Sequence, residues 1–321
     1  MKKGILLAIG AYVLWGLFPI YWKQLAAVPS LEIIGHRVVW SLVFILGIVF
    51  LSKRSRGLWS ALHSRKVVLT YGIAAMLLAV NWTTFVWAVN AGYVVDASLG
   101  YFINPLVSVL LGVVFFRERL RVGQWVAIGL ATVGVLYLTI RYGSLPWIGL
   151  VLAFSFGTYG LIKKGASLEA IEGQTLEMII LMVPALAYIL LLESKGVGTF
   201  GHNGLLSFFL AMGGAVTATP LLMFAAAARR IPLSMIGILQ YFAPTLQFSI
   251  GVWLYGEPFS IVRFTGFCFI WVGLLVYSVE GFYVRQRNQR AETLKAEIIK
   301  PHKTPDSCLE MKRQPGGPKL I

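Results

Sequence analysis

Chemistry in this chain must come from a few polar side chains set within long apolar runs. Arg37 lies about six residues into the run 31–51. A charged group at mid-bilayer depth costs about 2.5–3.5 kcal/mol on insertion scales, so a buried arginine is a functional candidate by default. Its guanidinium suits a carboxylate or another anionic group. The structural alternatives are snorkelling outward or an ion pair with Glu32 or Asp96. His36 could titrate near neutral pH, although adjacent helix positions point different ways. Glu177 sits deeper in its run than Glu169 and Glu172, which are expected to be solvated, and could hold a proton or a cation. Asp96 opens another run, where a carboxylate in a first turn is as well explained by capping as by coupling.

Uncharged groups complete the set. Asn81, Asn104, Gln240 and Gln247 are amides inside apolar runs, able to donate and accept hydrogen bonds. Tyr12, Trp15, Trp82, Tyr101 and Tyr241 could line a cavity with their ring faces. Thr217 and Thr219 precede Pro220. Taken singly, any of these could be interhelical packing; together the amides fall in the third, fourth and ninth runs, as one shared midplane site requires. The candidate solute-binding set is therefore Arg37, Asn81, Trp82, Tyr101, Asn104, Gln240, Tyr241 and Gln247. His36, Asp96, Glu177, Pro105 and Pro244 form the candidate coupling or gating set.

The elements that position these groups are membrane-spanning helices. Of 321 residues 58% are hydrophobic and 13% charged, more apolar surface than a soluble core could hide. Ten spans are expected near 4–22, 31–51, 67–90, 94–116, 122–140, 146–162, 170–192, 204–228, 231–255 and 262–282. The first is read as a retained helix, since no small-x-small cleavage site follows it. The formal charge of +15 is assigned to cytoplasmic loops and to a basic, disordered tail over 285–321 rather than to nucleic acid. Twenty-three Lys and Arg fall on one side of the ten spans and 4 on the other, which puts both termini in the cytoplasm. Arg117, Glu118 and Arg119 read as cytoplasmic charge with an exposed ion pair of little weight.

The chain also repeats itself. The stretch from Asp96 to Leu120 carries Pro105 within a ridge of small and polar positions, and 139 residues later Pro244 interrupts ILQYFAPTLQF in the same way. At that offset Phe85 meets Phe224, Ala88 meets Ala227, Gly112 meets Gly251, Glu118 meets Glu257 and Gly134 meets Gly273. The prolines would free the carbonyls of Tyr101 and Gln240. Trp15-Gly16-Leu17 is echoed by Tyr159-Gly160-Leu161, and Ser30-Leu31-Glu32 by Ser167-Leu168-Glu169. Two units of five spans, 1–141 and 142–284, must lie in opposite orientations because five is odd. Inverted repeats around a midplane site suit alternating access.

NWTTFVWAVN, SLGYFINPL and RERL in the first half, with LQYFAPTLQF and GEP in the second, resemble the RarD-type permeases of the EamA branch of the drug/metabolite transporter superfamily. WGLFPIYWK and SLEIIGHRVVWS are similar to the same group, and the likeness spans residues 3 to 285. It implies a ten-helix bacterial inner-membrane carrier with one central cavity. It leaves the solute open: family labels mention chloramphenicol sensitivity, and the superfamily moves amino acids, sugars and drugs. The expected partners are a small organic solute, the bilayer and, as a candidate coupling ion, the proton. An intramembrane enzyme acting on a lipid-linked substrate and a passive channel are the alternatives. No G-x-x-x-x-G-K-[ST], H-E-x-x-H, G-x-S-x-G or C-x-x-C pattern occurs, so no cofactor, metal or catalytic residue is expected.

Overall fold

The computed structural model describes residues 1–52, 62–90, 94–142, 147–256 and 261–299. Those residues form helices and short connections with no strand among them. The helices are α1 (Lys2–Trp22), α2 (Ser30–Leu51), α3 (Arg65–Asn90), α4 (Val94–Phe116), α5 (Val122–Tyr142), α6 (Trp147–Gly165), α7 (Ala170–Ser194), α8 (Gly204–Ala228), α9 (Leu233–Gln240), α10 (Phe242–Ser249) and α11 (Ile261–Ile299). Among the described residues, eight segments are long and apolar enough to cross a membrane. The two expected spans outside that set are α4, whose apolar part runs Gly100–Phe116, and α6, which ends in Lys163 and Lys164. Met1–Val276 form one compact unit, and the described residues from Tyr277 onward belong to a second.

Two boundaries differ from expectation. α11 runs to Ile299, past the point at which an unstructured tail was expected from Arg285. Residues 286–299 are rich in Arg, Gln, Glu and Ala and free of Gly and Pro, a composition with high helix propensity. Residues 300–321 lie outside the described set. The two prolines also behave differently. α4 passes through Pro105 without interruption, whereas the helix holding Pro244 breaks at Tyr241 between α9 and α10. With no amide at Pro244 to reach Gln240, the turn tightens, and the Tyr241 amide donates to the Ile238 carbonyl at 3.3 Å.

Packing follows the small residues. α2 lies against α7 and α8, α4 against α6 and α9, α1 against α8 and α10, and α3 against α6 and α7. Lipid tails give helices no hydrophobic reason to associate, so close backbone approach and interhelical hydrogen bonds carry the contact. Gly237 is one such point, since a Cβ there would lie 2.5 Å from the Pro105 carbonyl oxygen. α4 and α9 can therefore cross only with glycine at that position.

Glu118 lies in the connection after α4, which turns at Arg117 with φ of 52°. It is not the exposed, weightless charge expected from its neighbours. Its Oε1 accepts the Leu233 amide at 2.7 Å, and Oε2 accepts the amide and hydroxyl of Ser234 at 2.9 and 2.6 Å. Lys164 Nζ stands 3.6 Å away. The carboxylate thus caps the positive end of α9 from a residue 115 positions earlier. Burial raises its pKa, but the bonds from Ser234 and Leu233 and the nearby Lys164 outweigh that and hold it below its ordinary value. A depressed native pKa gives stability that is present above the ordinary carboxylate range and lost as pH falls through the native value. Glu118→Ala is expected to cost about 1–3 kcal/mol at neutral pH. Melting curves of the two proteins should converge in acid, and parallel curves at every pH would refute the cap.

Candidate functional site

One cavity of about 410 Å³ occupies the centre of the first unit. It extends to Pro19, Trp22 and Ser30, at the end of the bundle where α1 finishes and α2 begins. Towards the other end Tyr12 and Phe156 bound it, and the fully buried Tyr159 and Phe224 rings stack beneath them.

Arg37 is the cation of this cavity. Its Nε donates to Thr217 Oγ1 at 3.0 Å, and the guanidinium lies over Trp22 at 4.8 Å and Trp82 at 4.5 Å. Among the described residues no carboxylate pairs with it. Glu32, one of its expected partners, instead accepts the amide and hydroxyl of Thr199 at 2.6 and 3.0 Å. The side chain of Asp96, the other, lies outside the described residues. A guanidinium held between two indole faces on a cavity wall has a geometry that can receive an anion.

The expected amides do converge here. Asn81 Nδ2 donates to the Leu152 carbonyl at 2.9 Å and to Ser155 Oγ at 3.0 Å, and Gln247 Nε2 donates to the Trp15 carbonyl at 3.1 Å. Those two are largely engaged in tying helices together. Asn104 and Gln240 are different. Both are 6% exposed, both line the cavity, and neither carbonyl oxygen has a protein partner among the described residues. Buried acceptors are costly to leave unpaired, so these two are poised for donors on a bound molecule. Trp82, Tyr101 and Pro244 also line the cavity.

Other expected members lie elsewhere. Tyr241 points away from the cavity, and its hydroxyl donates to the Phe102 carbonyl at 3.2 Å. It follows Gln240 directly, and a step of one residue turns a helix by about 100°. Pro105 does not line the cavity. His36 turns from it as well, stacking on Phe200 at 4.9 Å with Glu32 at 4.0 Å. Glu177 is fully buried against Lys163, whose Nζ reaches its Oε1 at 2.7 Å. Glu172, expected to be solvated, is 9% exposed.

Trp22 is a cavity aromatic that residue patterns did not single out, while Thr217, named among the uncharged candidates, proves to be the hydrogen-bond partner of Arg37. Lys163, also not singled out, is a buried cation outside the cavity lining. Lys163 could have been found from its i,i+4 spacing to Tyr159.

A family model described as the EamA-like transporter family matches residues 2–140. Over 90% of this chain and 92% of its own length, the Streptomyces exfoliatus protein named Protein RarD is 45% identical. The chain belongs to the EamA-like transporter family. Bacillus subtilis (strain 168) has a relative named Uncharacterized transporter YojE, 44% identical over 86% of this chain and 94% of that protein. A crystal structure at 17% identity superposes with a TM-score of 0.69, covering 88% of this EamA-like chain and 99% of the other, and establishes a shared fold. This RarD-type permease is accordingly a membrane transporter, a multi-pass protein of the bacterial inner membrane.

Proposed function

We propose that the chain is a secondary carrier of a small organic solute bearing an anionic group, bound at Arg37 and passed across the membrane by alternating access. The observation that carries this reading is Arg37 itself: a caged guanidinium on a cavity wall, without a carboxylate partner among the described residues. The unpartnered oxygens of Asn104 and Gln240 would take a hydroxyl or ammonium of the same solute. Trp15, Trp82 and Phe156 offer ring faces to its apolar part.

In this reading residues 1–141 and 142–284 are five-helix repeats of opposite orientation, with both termini and the tail 285–321 in the cytoplasm. Contacts that map onto themselves support it. A Cβ on Gly134 would meet the Gly266 carbonyl oxygen at 2.9 Å, and one on Gly273 would meet that of Ala127 at 2.8 Å. Adding 139 to 134 gives 273, and adding it to 127 gives 266, so each contact is the other's image. Tyr241 bonds Phe102, its own counterpart at that offset. Equivalent residues can touch only on the axis that relates them, so a pseudo-two-fold axis would pass between α4 and α9. Rocking about it, driven by a proton gradient or by exchange, would present the site to each side in turn.

The test is a thermal-shift screen of the purified protein against amino acids, other organic anions, nucleosides and amphenicol drugs. A ligand that binds only the folded state raises melting by mass action. A hit is expected among anionic solutes and should be lost in Arg37→Ala. Asn104→Leu and Gln240→Leu are each expected to weaken that hit by about tenfold, the loss of roughly one hydrogen bond to a buried acceptor. Binding by uncharged solutes alone, indifferent to Arg37, would refute the reading.

A further inference from the structure

Beneath the cavity floor lies a second caged cation that the site described above leaves unused. Lys163 is 3% exposed, and its Nζ sits over Tyr71 at 5.3 Å and Tyr159 at 5.6 Å. Two aromatic faces thus hold it, as Trp22 and Trp82 hold Arg37. A protein carboxylate already occupies this cation, for Glu177 Oε1 lies 2.7 Å from Nζ. The Tyr159 hydroxyl donates to Glu177 Oε2 and Gln174 Oε1, both at 3.2 Å. Gln174 is fully buried, and its Nε2 has no partner among the described residues, a donor with nothing to receive it.

A buried ion pair is poor evidence of stability, because well-packed apolar residues of similar volume often serve as well or better. Ionisable groups within spans, as Glu177 is, usually mark a solute or ion path. The repeat says where this one lies on such a path. With the two Ser-Leu-Glu openings aligned, Gln174 takes the position of Arg37, each seven residues after its serine. With the aromatic-Gly-Leu motifs aligned, Tyr159 takes the position of Trp15. In an inverted repeat the counterpart of a cavity facing one side is the cavity that opens to the other.

We propose that Lys163 is a second anion station, on the cytoplasmic side of the floor, which Glu177 keeps filled as a tethered carboxylate until the solute's own anionic group displaces it. The inference rests on the carrier reading above. Gln174 Nε2 and the Tyr159 hydroxyl would supply the further donors that a bound carboxylate needs. Tyr159 belongs to both the station and the stack beneath the cavity, so displacing Glu177 would also disturb the floor.

Benzoate, a single carboxylate on a flat ring, is the probe, added to the full-length protein in nanodiscs with chloride at matched ionic strength as control. Arg37→Ala should abolish any benzoate-dependent rise in melting temperature. Arg37→Ala/Glu177→Gln should regain one of at least about 2 °C, because Lys163 is then unoccupied. Adding Lys163→Met should remove it again. No regain, or a regain that survives Lys163→Met, overturns the proposal. If Glu177→Gln does not fold in this background, Glu177→Asp draws the carboxylate back by one methylene and is held to the same two criteria. A wild type that ignores benzoate counts against the anion site at Arg37, whereas the station is read only in variants lacking Arg37, so the two failures are separable.

Discussion

Arg37→Ala is expected to lower transport by about a hundredfold or more while the amount of folded protein in the membrane stays level or rises. The two halves of that expectation have one cause. Arg37 is a charge removed from bulk water, and its partners among the described residues are one hydroxyl and two indole faces, with no carboxylate. Its removal relieves a desolvated charge and leaves Thr217 facing space that water can enter. Once solute is bound, the same truncation strands the solute's anionic group in a low-dielectric site. Removing one partner of a buried charge pair costs about 2–5 kcal/mol, or about thirtyfold to several-thousandfold in affinity. Arg37→Lys keeps the charge but loses the planar fork and its stacking between the indoles, and should fall between the two. Solute uptake normalised to membrane abundance decides the matter. Normal uptake by Arg37→Ala would make the residue structural.

The parts of the site that could be read from residues alone are those for which the bilayer makes polarity rare. Arg37, Asn81, Asn104, Gln240 and Gln247 stand out because almost everything around them is apolar, and all five line the cavity. The repeat was legible for the same reason: glycines and prolines punctuate apolar text at a fixed spacing. What failed is informative. Tyr241 and His36 each sit one residue from a true cavity residue, and depth along a run carries no information about which way a side chain turns. Glu118, Lys163 and Lys164 lie near helix ends, where charge is ordinarily solvated. Each instead meets a partner that only the fold supplies: Leu233 and Ser234 for Glu118, Glu177 for Lys163 and the Ile231 carbonyl for Lys164. Local spacing could not reveal a cap contributed from 115 residues away. Nor could it show that the helices bearing Pro105 and Pro244 differ, since the two prolines share a motif while only the second helix breaks.

Gly214→Ala should be among the most damaging single-methyl changes in the chain, and it should damage the site as well as the fold. A Cβ at Gly214 would lie 2.2 Å from the carbonyl carbon of Trp40 and 2.5 Å from the amide nitrogen of Ser41. Both are backbone atoms of α2, so no rotamer change can make room and the two helices must separate. Separation also strains the bond from Ser41 Oγ to the Gly214 carbonyl, 3.0 Å long and buried. One turn along the same crossing, Arg37 Nε reaches Thr217 at 3.0 Å. The wedge therefore opens the contact that aims the guanidinium into the cavity. Overpacking of this kind costs about 3 kcal/mol, and at membrane helix crossings no side chain substitutes for close backbone approach. Gly47→Ala in the same helix α2 is the control, since a Cβ there would meet nothing within 4 Å. That change should be neutral or stabilising by about 0.5–1 kcal/mol through helix propensity. Melting temperature and solute affinity should both fall for Gly214→Ala and hold for Gly47→Ala. If both variants melted like the wild type, the tight crossing of α2 and α8 could not be what positions Arg37.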